Sequence, residues 1–248
     1  MEAVTSAEVH LEQVSKVYDD SPVLQNIDLH LAPGEFTCLL GASGCGKSTL
    51  LNLVAGLELP THGTVLAPGR PALMFQDHAL LPWLTAGRNV ELALRFAGVD
   101  RSAWRTRAAE LPRMVHLSEA YDKRIHQLSG GMRQRVALAR ALAQESKVLL
   151  MDEPFAALDA ITRDLLHGEL TRIWEERKLT VLFVTHNVRE AVRLGGRVIL
   201  LSSRPGRIAR SWEVDIPHPR RIEDADVTTL TREITASLHQ EIIRHACT

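Results

Sequence analysis

Eight consecutive residues, Gly41, Ala42, Ser43, Gly44, Cys45, Gly46, Lys47 and Ser48, satisfy the pattern G-x-x-x-x-G-K-[ST], and Thr49 follows. Glycines at these spacings let backbone N–H groups turn toward one point and form a nest for phosphate oxygens. Lys47 adds a full positive charge for the β- and γ-phosphates, and the Ser48 hydroxyl is a candidate Mg²⁺ ligand. The flanks are those the chemistry demands. Residues 36–40 read as a continuous apolar strand and residues 48–55 as a helix, whose positive dipole end then faces the phosphate site.

A second chemical element is Val148-Leu149-Leu150-Met151-Asp152-Glu153. An apolar strand ending in Asp152 sets a carboxylate at the C-terminal edge of a sheet, where it can hold the Mg²⁺ shell. Glu153, one residue further, can face the γ-phosphate and polarise a water for attack. A third element is Ser129-Gly130-Gly131, opening a helix that runs on through Val136, Leu138 and Leu142. Ser129 stands at an N-cap position, and the two glycines expose backbone N–H groups, making a second anion site. One chain needs only one site to cradle a triphosphate, so two anion sites imply that two chains meet over each nucleotide.

These pieces need a scaffold. Residues 9–18 alternate as an antiparallel strand would, residues 19–22 (Asp19-Asp20-Ser21-Pro22) read as a turn, and residues 23–31 as a second strand. Strand patterns vanish over 78–145, where helical spacing dominates, and return at 148–151, 181–184 and 198–201, with a helix near 165–176. The expectation is one domain: an α/β nucleotide-binding core from 1–77 and 146–215, a helical subdomain over 78–145, and a tail over 216–248. In the tail, Leu230, Ile234, Leu238 and Ile242 recur every four residues as one apolar stripe of a terminal helix.

Composition narrows the class. With 248 residues, 45% hydrophobic and 24% charged, the chain reads as globular, and disorder and collagen-like repeats are excluded. A formal charge of -1 disfavours a broad phosphate-neutralising surface, so no nucleic-acid partner is expected. Cys38, Cys45 and Cys247 form no metal-binding or disulfide spacing, which fits a reducing cytosol. No apolar run approaches a membrane span, and the first residues carry acids where a signal peptide needs bases, so attachment to a membrane would require a partner.

Taken in order, these motifs resemble the ATP-binding subunits of ABC transporters, from about residue 9 to residue 210. The resemblance implies a P-loop NTPase with a RecA-like parallel sheet core, an N-terminal antiparallel β subdomain and a helical signature subdomain. It also implies roles. Tyr18 matches the aromatic that stacks on adenine, and Gln76 the glutamine that joins core to helical subdomain, senses the γ-phosphate and reaches the metal. Leu128-Ser129-Gly130-Gly131-Met132 matches the signature loop. Ala157-Leu158-Asp159 matches the loop crossing the dimer interface, and His186 the histidine that contacts the γ-phosphate. Catalysis is thereby expected of Glu153, His186, Gln76 and Lys47, with ATP and Mg²⁺ as ligands and Ser48, Gln76 and Asp152 around the metal. Met132 stands where glutamine is usual and Asn187 where aspartate is usual.

Finer features are similar to the branch importing nitrate, sulfonates and taurine. They are Met74-Phe75-Gln76-Asp77, Leu80-Leu81-Pro82-Trp83, residues 155–163 and residues 202–207, while the short connection 63–72 and residues 215–221 resemble the aliphatic-sulfonate members. This similarity implies a homodimer closing head to tail over ATP, a membrane permease dimer contacted through Trp83, and indirectly an extracytoplasmic solute-binding protein. The site of action would be the cytoplasmic face of the membrane, and the cargo an aliphatic sulfonate. The alternative is an ABC-type ATPase acting on nucleic acid or ribosomes. Against it, no sustained heptads separate Lys47 from Asp152, and there is a single set of motifs.

Overall fold

The computed structural model describes residues 7–115, 117–156 and 158–246; Ala157 and Cys247 lie outside them. The first elements are β1 (Val9–Tyr18), β2 (Ser21–Leu31), β3 (Phe36–Gly41), α1 (Lys47–Val54), β4 (His62–Leu66) and β5 (Ala72–Met74). Three helices follow, α2 (Ala86–Phe96), α3 (Trp104–Met114) and α4 (Gly130–Leu142). The chain then runs through β6 (Val148–Asp152), α5 (Ala160–Arg177), β7 (Thr180–Val184), α6 (Val188–Leu194), β8 (Arg197–Leu201), β9 (Ile208–Glu213) and α7 (Ala225–Ala246).

Two sheets result, an antiparallel one ordered β2-β1-β4 and a six-stranded one ordered β5-β6-β7-β3-β8-β9. All pairs in the larger sheet are parallel except β8 with β9. Strands β3 and β7 are buried throughout, as strands covered on both faces must be, which is why they read as unbroken apolar runs. Alternation divides β3 between two cores. Leu39 joins Leu11, Ile27 and Leu50 beneath the smaller sheet, whereas Phe36, Cys38 and Leu40 join the core shared with α2, α4 and α5.

Local chemistry explains where the elements depart from the sequence expectation. Only Asp19 and Asp20, with φ of 44° and 63°, form the first turn, and Ser21 and Pro22 already pair in β2. Positive φ at both positions is what a two-residue type I′ hairpin loop needs, and an edge strand tolerates the missing N–H of Pro22. Helix α5 starts at Ala160, ahead of the apolar spacing, because the Asp159 side chain accepts the Thr162 N–H and caps it. Strands β4, β5 and β9 escaped the pattern reading, since one has only three residues and the other two are largely exposed. On α7 the stripe is buried at Ile234 but runs out of core at Ile242, which is 42% exposed. Among the described residues no helix is long and apolar enough to cross a membrane.

Candidate active site

The Gly-rich segment follows β3 directly and leads into α1. Gly46 takes the N-cap position in a left-handed conformation, φ 100° and ψ 10°, and no side chain caps the helix. That absence is selective: Thr85, Ser129, Asp159 and Asn187 cap α2, α4, α5 and α6. The first N–H groups of α1 lack intrahelical acceptors, so they and the dipole are left for an anion. Lys47 is buried, and its Nζ donates to the carbonyl oxygens of Gly41 and Ala42, both at 2.9 Å. The lysine therefore braces the loop from within while keeping its charge inside the nest. Ala42, Ser43, Gly44 and Ser48 lie at the surface of this cradle, and Cys45 and Gly46 are buried beneath it.

The acids arrive from β6. Asp152 is the last residue of that strand, and the Ser48 hydroxyl hydrogen-bonds to it. Burial pushes the Asp152 carboxyl above its ordinary range, Glu153 adds to the rise, and the Ser48 bond and Lys47 charge oppose it. A hydroxyl and a carboxylate facing each other beside a phosphate nest are hard oxygen donors of the kind Mg²⁺ takes, so the residues present fit that ion. Glu153 has φ 46°, an unfavourable backbone conformation for glutamate, and its N–H donates to Val184 O at 3.0 Å. Its carboxylate meets His186 Nδ1 at 3.2 Å, with His186 largely exposed. A cavity of about 40 Å³ between them is lined by Glu153, Thr185, His186 and Glu190, among others. Met74 pairs with Met151, so exposed Gln76, two residues past β5, lies on the same sheet edge as Asp152 and Glu153.

Tyr18 sits beside the end of the cradle, its hydroxyl bonded to Glu58 and to the Thr49 side chain. Lys16 Nζ lies 4.7 Å from the ring centroid and covers one face of it. Those two neighbours, Lys16 and Glu58, were not singled out by sequence, because neither belongs to a motif.

Ser129 caps α4 through the Met132 N–H, at 3.2 Å, and Gly130 is exposed. This helix packs on α2, α3 and β5, whereas α1 packs on β2, β3, β4, β6 and β7, so the two candidate anion sites stand on different parts of the scaffold. A Cβ at Gly131 would come within 3.1 Å of Leu158, the neighbour of Asp159. Asp159 is exposed, and its carboxyl is held below the usual range by the Thr162 backbone and side-chain hydrogen bonds. Arg163 holds the loop ahead of it, donating to Phe155 O at 3.3 Å and Leu158 O at 2.7 Å. The segment after Gln76 is tied to α4 by Arg140, which donates to Ala79 O at 2.5 Å and His78 O at 3.0 Å.

The two unusual residues both have local explanations. Met132 is partly buried against the core, where a thioether is better placed than an amide. Asn187 caps α6 by accepting from Arg189 and Glu190 N–H, work an aspartate would also do. Sequence reasoning missed Thr185, Glu190 and His167. A sequence signal existed, since Asn187-Val188-Arg189-Glu190 has capping-box spacing, but that box would aim Glu190 at the Asn187 N–H. Instead the Thr185 hydroxyl takes that N–H, and Glu190 accepts from Thr185.

The ABC transporter family model matches residues 24–156. The Aliphatic sulfonates import ATP-binding protein SsuB 3 of Nocardia farcinica is 43% identical, covering 94% of this chain and 92% of that protein. The Bicarbonate transport ATP-binding protein CmpD of Synechococcus elongatus is 44% identical over 85% of this chain and 81% of that protein. Among solved structures, the ATP-binding cassette MJ0796, a dimer in a post-hydrolysis state bound to ADP and Pi, matches with a TM-score of 0.76. It is 34% identical and covers 84% of this chain and 100% of its own. With the nest, the acid-ended strand and the capped signature helix in one scaffold, the chain belongs to the ABC transporter family, in the branch of ATP-binding subunits that these relatives represent.

Proposed function

We propose that this chain hydrolyses ATP to drive an importer, working as a head-to-tail pair in which each nucleotide lies between one cradle and the partner's signature helix. The observation that carries this is the helix α1 left without a side-chain cap, with Lys47 in its nest and the Ser48–Asp152 and Glu153–His186 contacts beside it. The backbone N–H groups of residues 41–49 and Lys47 bind the phosphates, and adenine stacks on the face of Tyr18 turned away from Lys16. Mg²⁺, when bound, would be held by Ser48, Asp152 and Gln76 and would offset phosphate charge. Glu153 orients and deprotonates the attacking water, and His186 and Gln76 steady the γ-phosphate.

The partner's contribution comes from residues 129–131. Ser129 Oγ already accepts the Met132 N–H, which leaves its hydroxyl hydrogen to donate across the interface. ATP then favours the closed pair by its differential affinity for that state, and loss of the γ-phosphate bridge reopens it. Arg140 ties the segment after Gln76 to α4, so closure at the nucleotide moves both toward the permease together. Trp83, 66% exposed in that segment, is the docking residue we favour. Held by its permease, the chain would sit at the cytoplasmic face of the membrane, with a solute-binding protein on the far side.

Glu153→Gln tests the reading. Loss of a general base lowers turnover by about 10²–10⁴, and the variant runs as a dimer on size exclusion with ATP and as a monomer with ADP. Normal turnover in that variant removes Glu153 from the role. The cargo we assign is an aliphatic sulfonate, supported by the short connection 63–72 and by residues 215–221; no residue of this chain need touch it. Growth of a deletion strain on an alkanesulfonate as sole sulfur source is the test, and undiminished growth with lost nitrate or bicarbonate uptake rejects that cargo.

A further inference from the structure

Behind exposed His186 lies a buried polar chain that the mechanism above does not use. Glu190 on α6 and His167 on α5 are 6% and 3% exposed. One carboxylate oxygen of Glu190 meets His167 Nε2 at 2.8 Å, and the other accepts the Thr185 hydroxyl. An ionised carboxylate only accepts, so His167 presents its Nε2–H. The Thr185 oxygen in turn accepts the Asn187 N–H at 3.0 Å, and the Thr185 N–H donates to Leu39 O at 3.2 Å. The residues on either side of His186 thus share one hydroxyl, and Glu190 sets which way that hydroxyl points.

The other end of the chain reaches the interface loop. Asp159, Arg163 and His167 are spaced by four and share one face of α5. Asp159 caps the helix, Arg163 holds the carbonyls of Phe155 and Leu158, and the Phe155 ring meets the His167 ring at 5.2 Å. His167 Nδ1 is buried without a partner, although the site has one good bond on the other nitrogen. A buried hydrogen-bonded pair with an orphan atom is a poor stabiliser compared with apolar packing, but it fixes geometry well.

We propose that Glu190 is a positioning residue for His186, fixing the turn at 185–187 through the Thr185 hydroxyl, and that His167 couples this turn through α5 to Phe155, Leu158 and Asp159. Movement of the loop that carries Asp159 toward a partner is then felt at His186 in the same protomer. The inference rests on the proposed role of His186 at the γ-phosphate.

The test compares ATP turnover and nucleotide affinity in Thr185→Val, Thr185→Ser, His167→Leu and His167→Gln, with folding checked by thermal unfolding. Thr185→Val and His167→Leu should lower kcat about tenfold or more, as small misplacements do, with nucleotide affinity close to wild type. Thr185→Ser and His167→Gln keep the donor and should recover most of kcat. In a His186→Ala background, Thr185→Val should cause no further loss, because its effect acts through that histidine. Should either apolar variant fail to fold, the serine and glutamine variants must still track wild type, and a loss of kcat in them overturns the assignment. Wild-type kcat in Thr185→Val, or an equal loss with and without His186, also overturns it. If His186→Ala itself turns over normally, the reading of the site has failed; if it is slow and Thr185→Val is not, only the positioning role has failed.

Discussion

Gly206→Ala is expected to damage the nucleotide cradle from outside it. Gly206 is buried between β8 and β9; its N–H donates to Val23 O at 2.8 Å, and its carbonyl accepts the Gln25 N–H at 2.9 Å. A Cβ there would lie 2.3 Å from the backbone carbonyl oxygen of Cys45, 3.0 Å from Leu24 Cδ2 and 3.2 Å from Val23 O. The first distance is about 1 Å short of ordinary contact. The obstacle is main chain of the phosphate nest, so no rotamer change relieves it. The hydrogen bonds on both sides hold Gly206 in place, and the segment carrying Cys45 has to move instead. Overpacking of this kind costs about 1–3 kcal/mol, and a shift near 1 Å costs up to about 10²-fold in rate.

The control is Gly168→Ala, the same chemical change in the exposed interior of α5, where an added Cβ meets nothing within 4 Å. It should stabilise by about 0.5–1 kcal/mol and leave turnover alone. Urea unfolding and ATP turnover on the two variants decide the matter. If Gly206→Ala matches wild type in both, the nest is not braced through this contact. If both variants shift stability in the same direction, the steric argument is wrong.

Three further outcomes follow from the site. Lys47→Ala should weaken ATP binding about 10- to 100-fold, since charge-assisted bonds are worth about 1.5–3 kcal/mol; a fluorescent-nucleotide titration showing unchanged affinity removes Lys47 from the nest. Asp152→Asn should abolish Mg²⁺-dependent turnover while leaving the nucleotide-free fold at least as stable at pH 7. Because burial raises the Asp152 pKa, the folded state holds the proton more tightly than the unfolded chain. Its ionisation costs stability as pH rises from the ordinary carboxylate range through the raised value, and the cost is absent at lower pH. Thermal midpoints should therefore favour the variant near neutrality and converge in acid, and a large deficit at pH 7 contradicts this account. Trp83→Ala should change folding stability by no more than about 0.5 kcal/mol, as exposed positions do, yet reduce co-purification with the permease; a clear loss of stability would instead mark Trp83 as a packing residue.

Motifs that carry their own local geometry were legible in the linear chain. The nest at 41–49, the acids after 148–151, the Ser129 cap and His186 after a strand all follow from residue types at short spacing, because a turn, a cap or a strand end is decided within a few residues. The buried strands β3 and β7, and β6 as far as Met151, were equally plain, since parallel strands covered on both faces are apolar along their length. Short or half-exposed strands carried too weak a pattern, and β4, β5 and β9 exist because neighbours offer them a pairing edge.

Only tertiary structure decided which residues support the motifs. Lys16 and Glu58 reach Tyr18, Gly206 reaches the nest, Arg140 reaches the segment after Gln76, and His167 reaches Glu190. Apart from Lys16 and Tyr18, two residues apart on β1, each of these contacts joins residues far apart in sequence, and no local periodicity encodes a distance between two elements that meet only when the sheet order is set. Chemistry was written in neighbouring residues, while its alignment depended on how the strands were shuffled.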